Sequence, residues 1–284
     1  MLVTIIEVEM MYKMTLLKSN DISGISENLC KYNKSMFNKL GKSLAEVAMY
    51  AVDWEKESYE DYIKNDLIAI VPITSGNGII DGFSETIKNI IEITGFKAFI
   101  TDNSDVQGLE EAYKRHAKII FIADDDKFIA INTCNYNIAD NSFDTGRGYA
   151  AALDLMSGGL RNKTVLLIGA GPVGIGAASF MTAHGAKVLV YDILRQKAER
   201  LRDLFPEVEI LTEFHTSLKN NNLIFDATPA KNIIMKQYIS ESTLISAPGI
   251  PLGLEKDCMP IIKDRLIHDV LELGVVTMLF HALS

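Results

Sequence analysis

Thr164-Val165-Leu166-Leu167-Ile168-Gly169-Ala170-Gly171-Pro172-Val173-Gly174 is the stretch that decides the fold. Its first five residues read as a buried strand, and the three glycines follow at once. A helical pattern runs on to His184 and closes at Gly185. Lys187-Val188-Leu189-Val190-Tyr191 is the next strand, and it ends at Asp192, 18 residues beyond Gly174. A G-x-G-x-x-G alone is weak evidence; strand, turn, helix, strand and acid in this order define a Rossmann dinucleotide-binding unit. Gly169 permits the tight turn, Gly171 lets the backbone approach a pyrophosphate, and Gly174 lets the helix pack closely on the strand. The helix start, with Pro172 and Val173 in its first turn, offers amide donors and the positive end of the dipole. Asp192 can bind both ribose hydroxyls and would repel a 2′-phosphate, so the expected cofactor is NAD. Arg195 is the one nearby residue that pulls toward NADP.

Toward the C-terminus, Leu223-Ile224-Phe225 leads into Asp226-Ala227-Thr228-Pro229, and Thr243-Leu244-Ile245 leads into Ser246-Ala247-Pro248-Gly249. By order these are the fourth and fifth strands of the nucleotide-binding sheet. Thr228, Pro229, Pro248 and Gly249 are therefore expected beside the nicotinamide, where small and stiff residues keep a ring face open. Leu266 to Leu283 reads as a strand and a helix that finish the domain.

Toward the N-terminus, residues 26–64 carry apolar residues at three- and four-residue spacing, with breaks expected at Gly41 and Asp53. Three continuous apolar runs follow, at 67–73, 97–100 and 119–123, separated by helical stretches over 84–94 and 105–115. This alternation predicts a second, smaller parallel sheet. Residues 132–144 are polar and read as a connection. Thr145-Gly146-Arg147-Gly148 opens a helix that runs to about Met156 and bridges the two parts. The predicted class is α/β: an extension over 1–14, a helical and small parallel α/β substrate domain over 15–144, and a Rossmann NAD-binding domain over 145–284.

The composition excludes several alternatives. The 284-residue chain has a formal net charge of −9 and no basic run, which argues against nucleic acid. The uncharged run from Val165 to Ala183 contains glycines and Pro172, and reads as strand, turn and helix rather than a membrane span. Cys30, Cys134 and Cys258 are far apart and form no metal spacing or disulfide framework, so each is expected to be a small core residue, in a cytoplasmic protein. No tyrosine has a lysine four residues later, and the five histidines form no H-E-x-x-H. Hydride transfer here should need no metal. His184 is expected to be structural, and His268 could face a site.

Ligands gather at the carboxyl ends of parallel strands, and Ser75, Asn77, Asp102 and Asp124 fall at those ends in the first half. The run Asp124-Asp125-Asp126 is the best charged candidate, able to hold a substrate ammonium or take its proton. On these residues alone, a shikimate-type or other amino-acid dehydrogenase and a non-catalytic NAD sensor both stay open.

Longer stretches carry a resemblance. Ile70-Val71-Pro72-Ile73-Thr74-Ser75-Gly76-Asn77-Gly78-Ile79-Ile80 with Gly82-Phe83-Ser84-Glu85, then Phe99-Ile100-Thr101-Asp102, Ala123-Asp124-Asp125, Asp226-Ala227-Thr228-Pro229 and Pro248-Gly249-Ile250-Pro251, resemble the PylD family of pyrrolysine synthases in order and approximate spacing. Thr15-Leu16-Leu17 resembles that family's N-terminal helix start, whereas Glu272-Leu273-Gly274 stands where a more glycine-rich loop is expected. The resemblance implies NAD-dependent oxidation of the terminal amine carbon of L-lysine-Nε-3-methyl-D-ornithine, with ammonia loss and cyclisation to the pyrroline ring. It implies Asp124 as the group that holds and deprotonates the amine, and Ser75 and Asn77 as hydrogen-bonding contacts to the substrate. Asp102 is a further substrate contact, and Leu16 or Leu17 a lid. It also implies a homodimer.

Overall fold

The computed structural model describes residues 17–55 and 60–284. The extension over 1–14 and Leu16 lie outside the described residues. The N-terminal part is helical: α1 (Ser19–Ile22), α2 (Ile25–Leu40), α3 (Leu44–Ala51) and α4 (Glu60–Asn65). The breaks fall where the sequence places them. Gly41 ends α2 at φ 70°, and Asp53 takes φ 53° just after α3. Ser43 caps α3 with a reciprocal capping box to Glu46.

The first sheet contains β1 (Leu67–Val71), β2 (Lys97–Ile100), β3 (Ile119–Ala123), β4 (Phe128–Asn132) and β5 (Ile138–Asp140), in the order β2-β1-β3-β4-β5. α5 (Phe83–Glu92) and α6 (Asp105–Lys114) connect the first three strands, which pair in parallel. β4, just before the region read as a connection, and β5, inside it, add an antiparallel edge. They were hard to see because Cys134-Asn135-Tyr136-Asn137 and its polar neighbours hide a hairpin. The turn is made by Asn132, whose Oδ1 accepts the Cys134 and Asn135 N–H groups.

The next helix, α7 (Asn141–Ser157), begins four residues before the expected start. The Asp140 carboxylate caps it by accepting the Ser142 and Phe143 N–H groups at 3.0 and 3.2 Å. The boundary expected at 144/145 therefore lies inside the first turn of α7.

The second sheet comprises β6 (Thr164–Ile168), β7 (Lys187–Tyr191), β8 (Glu209–Ile210), β9 (Leu223–Asp226), β10 (Leu244–Ser246) and β11 (Leu266–Ile267). It is parallel throughout in the order β11-β10-β9-β6-β7-β8, the doubly wound Rossmann arrangement. α8 (Pro172–Ala183), α9 (Arg195–Leu204), α10 (Phe214–Asn220) and the short α11 (Met259–Ile262) connect its strands.

The last helix, α12 (Glu272–Leu283), is buried at every residue except His281. A helix that is apolar all round needs neighbours on all sides. α12 finds them by leaving its own sheet and packing on α3, α5, α7, β4 and β5. Asn132 Nδ2 donates to the Ala282 carbonyl at 2.8 Å, and His281 Nδ1 meets Asp144 Oδ1 at 2.7 Å. One continuous core thus runs from Ile22 and Met36 through Ile68 and Ile119 to Val165 and Leu283.

α7 and α8 approach to backbone contact. A side chain at Gly146 would meet the Val173 carbonyl at 2.1 Å, and one at Gly176 would meet the Phe143 carbonyl at 2.0 Å.

The cysteines depart from expectation. Cys258 is buried, but Cys30 lies on the outer face of α2 and Cys134 in the β4–β5 turn, both exposed.

Candidate active site

A parallel sheet opens a crevice where its strand order reverses, because the connections on either side leave in opposite directions. Here that happens twice: between β1 and β3 in the first sheet, and between β6 and β9 in the second. Both crevices open into one cleft of about 720 Å³. Ile70, Val71, Asp124 and Asp125 line it from the first pair, and Ile168, Gly169, Ala227 and Thr228 from the second.

The Rossmann wall is made largely of main chain. Gly169 sits at φ +95°, which its neighbours could not hold without strain. A side chain at Gly174 would lie 2.1 Å from the Gly169 carbonyl, so the turn and the helix require each other. At Gly171, by contrast, a Cβ would meet nothing within 4 Å. The space in front of that residue is open, and Gly171 caps α8 without a side-chain hydrogen bond, leaving the first amides of α8 without a side-chain cap. An open approach above amides that no side chain caps fits a pyrophosphate.

Asp192, at the end of β7, accepts the Ala170 N–H at 2.8 Å through Oδ2 and the Leu194 N–H at 2.8 Å through Oδ1. Each oxygen keeps a lone pair, so the carboxylate is pinned beside the glycine turn and can still accept from ribose hydroxyls. Tyr191 and Phe214 face each other at 4.6 Å and, with Ile193 and Leu194, give this end an apolar surface for a base. Arg195 is tied to Glu199 at 2.9 Å and is not part of the lining, whereas Lys197 is.

Gly169, Gly171, Pro172, Val173, Asp192, Thr228, Pro229, Pro248 and Gly249 all line the cleft. Gly174 stands behind the turn. Asp226 is fully buried at the end of β9, where its Oδ1 accepts from the Thr228 N–H and hydroxyl at 3.0 and 2.7 Å. Burial pushes this carboxyl up to about 6, against those two bonds.

The first-sheet wall is mostly apolar side chain: Leu17, Ile73, Ile80, Phe83 and Phe128 among others. Asp124 is exposed in the cleft. Its Oδ1 accepts the Asp126 and Lys127 N–H groups at 2.9 and 2.8 Å, which fixes the turn. Its Oδ2 has no hydrogen-bond partner among the described residues.

Asp125 also lines the cleft, and its Oδ2 accepts from both the N–H and Nδ2 of Asn77 at 2.8 Å. Asn77 therefore acts on the acidic turn rather than facing the cleft. Ser75 is exposed on the same loop and stands off the lining. Asp102 is also outside it. It borders a separate shallow depression with Glu111, whose carboxylate accepts the Asp102 N–H at 2.9 Å. Leu17 lines the cleft.

Residues that sequence reasoning missed include Asn141, Ser142 and Thr145 at the start of α7, and Val270 and Leu271 before α12. The first three were legible only if β5 had been recognised.

Behind Val270 and Leu271 lies a buried acidic cluster. Tyr32 donates to Asp269 Oδ2, the Asp269 N–H donates to the Tyr149 hydroxyl at 2.7 Å, and Glu272 Oε2 accepts the Val270 and Leu271 N–H groups at 3.2 and 3.0 Å. Burial, with Asp269 adding to it, pushes Glu272 up to about 7; burial also raises Asp269. His184 stacks on Phe180 at 3.8 Å, a structural role. His268 hydrogen-bonds the Ala247 carbonyl at 2.7 Å and does not line the cleft. No group of three or more His, Cys, Asp or Glu among the described residues is placed to hold a metal, and no described helix is long and apolar enough to cross a membrane.

Fold and site define a two-sheet α/β enzyme of the dehydrogenase type, with a Rossmann glycine turn in its second sheet. Residues 151–248 match the family model for shikimate / quinate 5-dehydrogenase. Among solved structures, a shikimate dehydrogenase from Aquifex aeolicus shares the fold at TM-score 0.50 and 14% identity, over 77% of this chain and 90% of that one. A shikimate dehydrogenase in complex with NADP+ does so at TM-score 0.51 and 13% identity, over 78% and 90%.

Residues 21–139 match the N-terminal domain of the pyrrolysine biosynthesis protein PylD. A pyrrolysine synthase from Methanosarcina barkeri is 32% identical over 96% of this chain and all of that one, and one from Methanosarcina acetivorans is 32% identical over 95% and all of it. The chain belongs to the PylD family.

Proposed function

We propose that this protein is a pyrrolysine synthase. It oxidises the terminal amine carbon of L-lysine-Nε-3-methyl-D-ornithine with NAD, and ammonia loss and ring closure give the pyrroline. The observation that carries the reading is the meeting of the two crevices in one cleft. A glycine turn with open amides stands on one side, and a carboxylate with a free oxygen on the other.

The nicotinamide ring, when bound, accepts a hydride. Gly171, Pro172 and Val173 would hold the pyrophosphate, Asp192 the ribose hydroxyls, and Thr228, Pro229, Pro248 and Gly249 the ring. Asp192 favours NAD by repelling a 2′-phosphate.

An ammonium carbon cannot release hydride, so the terminal amine must first lose its proton. Asp124 Oδ2 holds the ammonium and takes that proton. As the carbon–hydrogen bond breaks, the nitrogen lone pair forms the C=N bond of an iminium. The substrate's second amine attacks that carbon, and the original nitrogen leaves as ammonia, so the five-membered ring closes with its own C=N bond. Asn77 positions the acidic turn through Asp125. The apolar wall from Ile73 to Phe128 takes the aliphatic chain and excludes the water that would hydrolyse the imine. The reading extends to a homodimer working in the cytoplasm on a dipeptide-like small molecule.

Absorbance at 340 nm with NAD tests it, using the amide-linked diamine beside its D-ornithine analogue, shikimate and free amino acids. Reduced cofactor from the amide-linked diamines alone, with a product lighter by two hydrogens (the hydride and a proton) and one ammonia, is the expected result. Turnover of shikimate, or NAD binding with no turnover of any amine, overturns it.

A further inference from the structure

The cleft has a second polar pole besides the acidic turn, on the first turn of α7. Ser142 is 8% exposed and lines the cleft, and its hydroxyl has no hydrogen-bond partner among the described residues. Asn141 beside it also lines the cleft. Its Oδ1 accepts a long 3.4 Å bond from the Thr145 hydroxyl, and its Nδ2 has no partner among the described residues. A hydroxyl and a half-buried amide that face the cleft without protein partners are free to hydrogen-bond to what fills it.

These groups stand at the same edge of the first sheet as Asp124. β3 and β5 run in the same direction with β4 between them, and Ile122, Ile129 and Asp140 share one level. Asp124 lies two residues past that level and Asn141 one. Two strand spacings separate them, about 10 Å.

The chemistry of this pole is neutral. The amides that would make the start of α7 an anion site are already taken by the Asp140 carboxylate, which also pairs with Lys127 at 2.8 Å. That capping charge disfavours a substrate carboxylate, and Asp124 and Asp125 supply the better place for an ammonium. What remains is a hydroxyl that donates and accepts beside a carboxamide nitrogen that donates. This pair matches a neutral amide, with its carbonyl acceptor and N–H donor. Between the two poles the wall is aliphatic and aromatic.

We propose that Asn141 and Ser142 bind the internal amide of the substrate, and so set the enzyme's preference for an amide-linked diamine over a simple one. The inference rests on the functional reading above and names the part of the cleft that selects the substrate. With the amide held here, the substrate's aliphatic segment spans the apolar wall and its terminal amine reaches Asp124. The contacts of Gly146 and Gly176 between α7 and α8 keep this pole at a fixed distance from the glycine turn.

The test uses Ser142→Ala, which removes a single oxygen, and Asn141→Ser. Steady-state kinetics are measured on the amide-linked diamine and on an analogue with a methylene in place of the amide carbonyl, and NAD affinity is measured by direct titration. A contact made equally in ground and transition states raises KM and leaves kcat alone. Each variant should raise KM for the amide substrate about three- to tenfold, with NAD affinity unchanged, and should lose most of the wild-type preference over the methylene analogue. If both variants keep that preference, the inference is wrong. If NAD affinity falls while KM for the diamine holds, the pair serves the nicotinamide carboxamide instead, which also overturns it. A wild-type protein that oxidises no amide-linked diamine removes the functional reading and this inference together; normal wild-type turnover with unaffected variants removes this inference alone.

Discussion

The two walls of the cleft are built on different principles. The Rossmann wall offers main chain: a left-handed glycine, an open glycine, and helix amides that no side chain caps. The opposite wall offers side chains that are held by other side chains or by turns, such as Asp125 under Asn77 and Asp124 in its own turn. A main-chain site depends on local conformation and so on a short run of sequence. A side-chain site depends on which strands lie next to each other and on where loops fold back. In the proposed function the first kind binds a common cofactor, and the second chooses what reacts with it.

Substitutions on the two walls should therefore fail differently. The largest effect is expected at Asp124. Asp124→Asn keeps the acceptor that fixes the turn but cannot take a proton, so kcat should fall by about 10² to 10⁴ with NAD affinity intact. A fall in NAD affinity of the same size would erase the distinction between the walls.

Gly171→Val is the counterpart. A Cβ there meets no protein atom within 4 Å, so the melting temperature should hold, while NAD affinity should drop at least about tenfold because the valine occupies the approach to the helix amides. Retained affinity would place the pyrophosphate elsewhere.

Asn77→Ala removes the Nδ2 bond to Asp125 and leaves the one from the backbone N–H, and should raise the substrate KM about three- to tenfold without changing NAD affinity. An unchanged KM would show that the loop holding Asp125 is decoration.

The smallest effect concerns stability. Burial raises Glu272 from 4.5 to about 7 in the folded protein, so the folded state holds this proton more tightly than the unfolded chain does. The contribution is complete below pH 4.5 and is lost as pH rises through about 7. Glu272→Gln should flatten the fall in melting temperature across that window by about 3 °C. Asp226, raised from 3.8 to about 6, leaves a smaller slope of the same sign in place. A slope unchanged by the variant would show that Glu272 is ionised throughout.

This contrast also explains what could be read from the chain beforehand. Strands β1, β2, β3, β6, β7, β9 and β10, the glycine turn, Asp192 and the loops after β9 and β10 follow from local pattern, and each stands where that pattern places it. The breaks at Gly41 and Asp53 are equally local. Ser75, Asn77 and Asp102 share the same strand-end logic, yet none of them lines the cleft, because loop 74–78 closes onto Asp125 and Asp102 turns toward α6. Strand ends name a neighbourhood; only tertiary contacts say which side chain enters it. Asn141 and Ser142 were hidden for a related reason. Their strand is three residues long and stands behind a polar hairpin, so the periodicity that reveals longer strands had no room to appear. The crossing of α12 to the first sheet leaves no local mark at all, since an apolar helix reads the same whichever sheet it covers.

The central claim is that the terminal amine carbon at the first wall and the cofactor at the second exchange hydride directly. The measurement that reaches it uses the amide-linked diamine carrying deuterium on that carbon, with the reduced cofactor analysed by mass spectrometry. The account predicts one deuterium in the nicotinamide and a slower single-turnover rate. Reduced nicotinamide without deuterium, formed at an undiminished rate, would contradict it.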